Sequence, residues 1–229
     1  MDSDILEKAQ KWTKNPFDTD TQNLVQQLIS TKSTELDESF YKDLEFGTGG
    51  LRGIMGVGTN RINKYTIGQT TQGLANYIKQ SFPNEEVKVA IAHDSRNNSR
   101  FFSETAASVL SANGIKVFLF EDLRPTPELS FAVRELSCNA GIVITASHNP
   151  KEYNGYKVYW NDGGQLVPPH DNGVIQEVRK VDFDAIQFDE QNSNVEIIGE
   201  ELDNQYLDKV ASLSFNQKTN LKIVFTSIH

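Results

Sequence analysis

A single cysteine, Cys138, stands among 229 residues. One thiol excludes an intramolecular disulfide and the Cys-rich zinc frameworks. No apolar run reaches the roughly 18 residues of a membrane span. The N-terminus, MDSDILEKAQKW, lacks the apolar stretch of a secretory leader. Basic residues are the scarcer charge: 22 Lys and Arg against 31 Asp and Glu give a formal charge of −9. Nucleic acid and anionic membranes repel so acidic a chain, which sets both aside as main partners. These absences lead to the expectation of a cytoplasmic protein. Two phosphate-loop signatures are missing as well. The spacing from Gly53 to Gly58 is followed by Thr59 where a P-loop needs Lys, and no G-x-G-x-x-G follows a strand pattern.

What is present suits a globular domain. Hydrophobic residues make up 38% of the chain and charged residues 23%, enough apolar surface for one large domain or one domain and part of a second. Residues 1–43 read as helical, with Leu24, Leu28 and Ile29 at helical spacing. Six of the 15 glycines fall between 47 and 58, which predicts irregular backbone because Gly weakens regular elements. A helix follows at 64–81. Then apolar runs alternate with amphipathic segments: strands at Val87–Ala92, Ile115–Phe120 and Gly141–Thr145, helices at Ser99–Asn113 and Pro127–Leu136. Ser99 reads as an N-cap and Gly114 as a C′ residue. Three fully apolar strands joined by helices predict parallel pairing in a sheet covered on both faces. Tyr153–Trp160 and Gln165–Val167 flank Asn161-Asp162-Gly163-Gly164 and read as a hairpin. Helices are expected near 170–180 and over Leu202–Leu213, and a buried strand over Leu221–Ile228. Phe101, Phe102, Phe118 and Phe120 read as core, and Cys138 as buried and inert. The expected organisation is a helical extension over 1–43, an α/β domain over 44–200, and the start of a second, similar domain over 201–229.

In open α/β sheets ligands bind beyond the carboxyl ends of the strands. Two loops leave such ends with reactive groups: His93-Asp94-Ser95-Arg96, and Thr145-Ala146-Ser147-His148-Asn149-Pro150. Asn154-Gly155-Tyr156-Lys157 returns a lysine toward the same edge. Serine hydrolysis fits poorly. Thr145 and Asn149 stand where a nucleophile elbow needs glycine, and in an extended segment Ser147 and His148 point apart, which makes His148 a poor base. Anion binding fits better: glycines let backbone N–H groups approach a phosphate, and Arg52 offers a bidentate fork. A phosphorylated Ser147 suits this setting, its charge met by Lys157, Arg52 or a divalent metal. Bland readings stand beside these. Arg52 could pair with a surface carboxylate, Lys157 could be a solvated strand residue, and His148 a satisfied loop histidine. His93 could be a structural donor, and Asp94 and Arg96 an ion pair that shapes the loop.

The Thr145–Pro150 segment resembles the phosphoserine loop of the α-D-phosphohexomutases, the phosphoglucomutase and phosphomannomutase superfamily. Glu45-Phe46-Gly47-Thr48-Gly49-Gly50-Leu51-Arg52-Gly53 resembles that family's N-terminal glycine-arginine segment, and Asn154-Gly155-Tyr156-Lys157 matches a third motif. The three occur in family order over about residues 45–165, with wording nearest the phosphoglucomutase/phosphopentomutase branch. The resemblance implies a three-layer α/β/α domain with a mixed, mainly parallel sheet. It implies a phosphosugar mutase, an isomerase of carbohydrate metabolism. Phosphoserine Ser147 would exchange its phosphoryl group with a sugar phosphate through a sugar bisphosphate, moving it between position 1 and position 6 or 5. Mg²⁺ and a sugar 1,6-bisphosphate activator are implied. Ser147, through its phosphate, would be one metal ligand, His148 and Lys157 acid/base or charge-stabilising groups, and Arg52 a phosphate contact. The other ligands of the family's pattern are absent: Asp162-Gly163-Gly164 and Asp182-Phe183-Asp184 lack the three spaced carboxylates. An N-terminal fragment, inactive without its missing domains 2–4, is therefore expected. The alternative is a non-catalytic phosphate-binding module of the same fold.

Overall fold

The computed structural model describes residues 3–47, 49–215 and 220–226. The polar N-terminal segment folds as α1 (Ser3–Lys11), α2 (Thr19–Thr31) and α3 (Thr34–Phe40). Two caps set their starts: the Asp18 carboxylate accepts the Thr21 N–H at 2.8 Å, and the Ser33 hydroxyl accepts the Glu35 N–H at 3.1 Å. Trp12, Phe17, Val25, Leu36 and Phe40 form a core of their own, with Trp12 stacked on Phe17 at 4.2 Å. Val25 is the buried anchor of α2, whereas Leu24 is exposed. Tyr65, from α4 (Lys64–Ser81), closes this core; its hydroxyl donates to the Asp18 carboxylate at 2.7 Å and accepts the Asp18 N–H at 2.6 Å. The helical head is thereby pinned to the sheet domain.

The three apolar runs form β2 (Lys88–His93), β3 (Lys116–Phe120) and β4 (Ala140–Ile144). They pair in parallel, linked through α5 (Ser99–Ala112) and α6 (Thr126–Glu135). Antiparallel β5 (Tyr153–Trp160) follows β4 and pairs with β1 (Gly50–Ile54). The sixth strand, β6 (Val195–Ile198), adds in parallel to β3, so the order is β1-β5-β4-β2-β3-β6. On one face α4, α5 and α7 (His170–Val178) bury Ile67, Leu74, Leu110 and Val174 against Val89, Ile142 and Tyr156. On the other, α6 and α8 (Glu200–Ser212) cover Ala90, Ala92, Phe120 and Val143 with Leu129, Phe131 and Leu202. The fold is the α/β/α sandwich with a mixed, mainly parallel sheet.

Several details differ from the expectations. The glycine-rich stretch is not wholly irregular, because Gly50–Ile54 is strand β1. Its partner register brings glycine opposite each candidate site cation, Gly50 across from Lys157 and Gly155 across from Arg52. Glycine here serves close backbone approach: a Cβ on Gly155 would come within 2.6 Å of the Thr145 carbonyl oxygen and 2.8 Å of that of Leu51. Strand β6 lies in the stretch read as polar loop; it is four residues long and Ile197 is exposed. Residues 220–226 form no strand, and Leu221, Ile223, Val224 and Phe225 are exposed; Ser227 and Ile228 lie outside the described residues. The second hairpin arm is reduced to one bridge, Tyr159 to Gln165. Ser99 is the first residue of α5 rather than its cap, and Phe101 is half exposed. Cys138 is buried, which pushes its thiol up to about 12 and leaves it an inert core group.

Helix α8 docks on α6 through Leu202, through Tyr206 against Phe131 at 5.5 Å, and through a bidentate pair. Arg124 Nε and Nη2 reach the two oxygens of Asp203 at 2.7 Å each. Glu128 is buried beside them. Its Oε1 has no hydrogen-bond partner among the described residues, and the nearest Arg124 nitrogen is 4.0 Å away. Burial first, then the neighbouring Asp203, holds the Glu128 carboxyl above its ordinary range. The native state therefore keeps a proton there that the unfolded chain has released, and stability from this group falls as pH rises through the native pKa. Glu128→Gln should abolish that dependence. Between about pH 5 and pH 8 the wild type should lose on the order of 1 kcal/mol relative to the variant in denaturant titrations. Parallel pH profiles for the two proteins would show that Glu128 titrates normally.

Candidate active site

Strand β4 ends at Ile144, and the chain leaves the sheet through buried Thr145 and Ala146. Ser147 then emerges exposed, at φ 56°. The left-handed region costs a Cβ-bearing residue roughly 1 kcal/mol or more, so its neighbours must hold it there. The Ser147 N–H donates to Thr145 Oγ1 at 2.9 Å. The Ser147 carbonyl accepts from Arg96 Nη2 at 2.8 Å, as does that of Asn149 at 2.6 Å. Arg96 Nη1 donates to the carbonyls of Pro150 and Tyr153 at 2.9 and 3.1 Å. Behind it, Asp94 Oδ2 lies 3.4 Å from Arg96 Nε, while Oδ1 accepts the Arg96 N–H and the Ser99 hydroxyl. Asp94 and Arg96 are thus the ion pair that shapes the loop. His93 is structural too: it is buried, and its Nδ1 bonds the Asp94 carbonyl at 3.0 Å.

The strand register places Arg52 and Lys157 on one face of the sheet. Across the β1–β5 ladder each stands opposite a glycine, so neither is covered from that side, while on its other side Lys157 neighbours Val143 of β4. Arg52 Nη1 donates to Asn149 Oδ1 at 2.9 Å and makes no ion pair with a carboxylate among the described residues. Lys157 is half-buried. Burial and then the Arg52 charge push its ammonium below the usual lysine range, against a smaller pull from Asp94. Two cations therefore sit near one another, one of them bonded to the Ser147 loop, and neither makes an ion pair among the described residues. That is an electrostatic arrangement suited to a phosphate.

His148 requires a correction. Because Ser147 is left-handed, the segment is not extended and the two side chains do not point apart: Ser147 Oγ lies 3.4 Å from His148 Nδ1. The contact is long for a hydrogen bond, and no third group orients the imidazole among the described residues. The corner is open: Ser147 and His148 are exposed, and cavities of about 660 and 510 Å³ elsewhere are lined by other residues. Among the described residues no three His, Cys, Asp or Glu side chains gather as a metal site. Asp94 is committed to Arg96 and Ser99. The described residues do not by themselves fit a Mg²⁺ ion, and no chemical step is assigned to one. Thr145, Asn149 and Asn154 escaped the sequence reading as site residues. Buried Asn154 ties the two loops together, its Nδ2 donating to the Asn97 carbonyl and to Ser99 Oγ at 3.1 and 3.0 Å. A Thr two residues before the serine, able to bond its N–H, was the one available signal.

Fold and site together define an α/β domain that presents a serine and two uncompensated cations at the carboxyl edge of its parallel strands. Residues 43–185 match the family model described as phosphoglucomutase/phosphomannomutase, alpha/beta/alpha domain I, and the chain belongs to that family. It is 37% identical to a phosphopentomutase of Homo sapiens over 96% of this chain and 38% of that protein. It is 37% identical to a phosphoglucomutase of Staphylococcus aureus over 95% of this chain and 40% of that one. The chain thus spans about two fifths of the length of these relatives. The crystal structure of a phosphoglucomutase/phosphomannomutase family protein from Burkholderia thailandensis aligns with a TM-score of 0.57 at 20% identity, over 73% of this chain and 35% of that one. At that identity the likeness concerns the fold. No helix among the described residues is long and apolar enough to cross a membrane.

Two outcomes follow from the packing. A titration of the Lys157 amine by NMR should give a pKa below that of an ordinary lysine, and Arg52→Gln should raise it, since a neighbouring positive charge is removed. No movement on that substitution would separate the two cations. Gly155→Ala should cost about 1–3 kcal/mol in chemical denaturation, because its Cβ has carbonyl oxygens on two sides; a neutral effect would show that β1 and β4 can spread apart there.

Proposed function

We propose that this chain carries the phosphoserine-bearing part of a phosphosugar mutase, a cytoplasmic intramolecular phosphotransferase acting on an α-D-sugar phosphate. The observation that carries the reading is the exposed Ser147, presented on a held left-handed turn in a loop whose Asn149 binds Arg52, with Lys157 close to Arg52. In the forward step the Oγ–phosphorus bond of phosphoserine breaks, and a bond forms between phosphorus and a free sugar hydroxyl. The hydroxyl proton passes to a base, and a sugar bisphosphate results. After the bisphosphate turns, its other phosphoryl group returns to Ser147 Oγ. A lysine whose ammonium is already destabilised can carry that proton, and both cations offset charge on the phosphoryl oxygens. His148, 3.4 Å from Oγ, can take or return a proton there. A sugar 1,6-bisphosphate would supply the first phosphoryl group. The relatives' names cover pentose and glucose phosphates, so transfer between position 1 and position 5 or 6 is the range proposed.

The test is incubation of the full-length protein with glucose 1,6-bisphosphate, followed by intact-mass measurement and peptide mapping. Phosphate should appear on Ser147 and vanish in Ser147→Ala, with turnover abolished. Lys157→Ala should lower kcat about 10²-fold. Phosphate on a different serine would overturn the assignment. Reversible phosphate binding with no covalent label would favour a phosphate-binding module instead.

A further inference from the structure

A guanidinium has five N–H donors; on Arg96 four of them hydrogen-bond to loop carbonyls and the fifth faces a carboxylate. Nε faces Asp94 Oδ2 at 3.4 Å. Nη1 serves the carbonyls of Pro150 and Tyr153, and Nη2 those of Ser147 and Asn149, at 2.6–3.1 Å. Its side chain is only 14% exposed. Arg96 thus stands at the loop with its four Nη donors taken and its Nε turned to Asp94, in contrast to Arg52, whose guanidinium bonds Asn149. We propose that Arg96 is a positioning residue that keeps Ser147 in its left-handed conformation by gathering the loop's carbonyl oxygens onto one plane. The proposal rests on the phosphoserine reading for its kinetic consequence and on geometry alone for its structural one.

The physical reasoning is that backbone direction at residue 147 is set from both sides. Thr145 Oγ1 fixes the N–H and Arg96 fixes the carbonyl, so the side chain is the remaining free group and is turned to solvent. Without the carbonyl anchor, Ser147 relaxes toward right-handed or extended backbone, which a Cβ prefers. Oγ then turns away from its direction in the structure, in which Asn149 of the same loop is bonded to Arg52. Lysine cannot replace the clamp, since an ammonium has three donors and no plane. The pair with Asp94 keeps the guanidinium in place by tying it to the end of β2, the strand beside β4. The Ser147 loop is therefore referenced to two adjacent strands rather than one.

Arg96→Lys is the test, read in two ways on the full-length protein. Hydrogen exchange at the amides of Ser147, Asn149 and Tyr153, which are bonded within the loop, should quicken about tenfold or more. Amides of β2 and β4 should stay unchanged. The rate of Ser147 phosphorylation by glucose 1,6-bisphosphate should fall about 10- to 100-fold, with affinity for inorganic phosphate within twofold of wild type. Added guanidinium ion should restore part of the rate in Arg96→Ala. Should Arg96→Lys fail to fold, Thr145→Val, which removes only the N–H anchor, should give the same split at smaller size. Unaltered loop exchange would overturn the clamp even if Ser147 is phosphorylated. A loss of phosphate affinity matching the loss of rate would instead make Arg96 a phosphate ligand. Loop exchange that quickens in a protein never phosphorylated at Ser147 would keep the clamp and sink the phosphoserine reading.

Discussion

The reversal of direction between β4 and β5 is the constraint on which the site depends. Strands β2, β3 and β4 run in parallel, so their carboxyl ends and the loops leaving them share one edge. A parallel crossover after β4 would carry the chain away over a helix. Instead the chain turns back within eight residues and pairs antiparallel, first with β4 and then with β1 on the far side. The short turn leaves the 145–152 loop at the carboxyl edge of the parallel strands, and the returning strand brings Lys157 back beside Val143 of β4. Pairing with β1 then adds Arg52 on the same face, because cross-strand partners in a ladder point the same way. One change of strand direction thereby assembles a serine and two cations that lie up to 105 positions apart in sequence.

That geometry works only because the backbone is bare around it. Gly50 and Gly155 occupy the positions across from Lys157 and Arg52, and Gly155 is wedged between carbonyls of β4's exit and β1. Larger residues there would part the strands and lay side chains over the cations. Electrostatically the corner runs against the rest of the molecule. A chain with a formal charge of −9 holds two positive side chains close enough for one to depress the pKa of the other. Such repulsion costs stability in the absence of a ligand, and an anion relieves it.

The parallel core was legible because buried parallel strands are continuously apolar, as Val89–Ala92 and Ala140–Ile144 are. Helix α4 was legible from its periodicity. Strand β1 was not, because glycine reads as a breaker when pairing partners are unknown; its strand character comes from β5, about 100 residues later. Strand β6 was hidden for a different reason: a short edge strand with Glu196 and Ile197 exposed carries little periodicity. Residues 221–226 misled in the opposite sense, since an apolar β-branched run looks buried whether or not anything covers it. At the site, the serine, lysine and arginine could be singled out by type and placement. The left-handed turn that brings His148 toward Ser147 could not, because it is imposed by Arg96 from another loop. Tertiary hydrogen bonding overrode local preference there.

The same turn bears on which chemistry the corner can support. A serine that attacks an acyl carbon must be deprotonated by a base held in place by a third group. Here the imidazole is exposed, its approach to Oγ is 3.4 Å, and nothing among the described residues orients it. That is weak activation of a nucleophile. Phosphoryl transfer makes a different demand. Its transition state is loose, little nucleophilic push is needed, and the protein's task is to hold the two oxygens in line and offset charge on the equatorial ones. The corner offers a rigidly referenced Oγ and two unpaired cations, which is strong on position and charge and weak on base catalysis. The balance of what is present therefore favours exchange of a phosphoryl group over serine hydrolysis. It does so on the strength of hydrogen bonds to loop carbonyls rather than of any single reactive side chain.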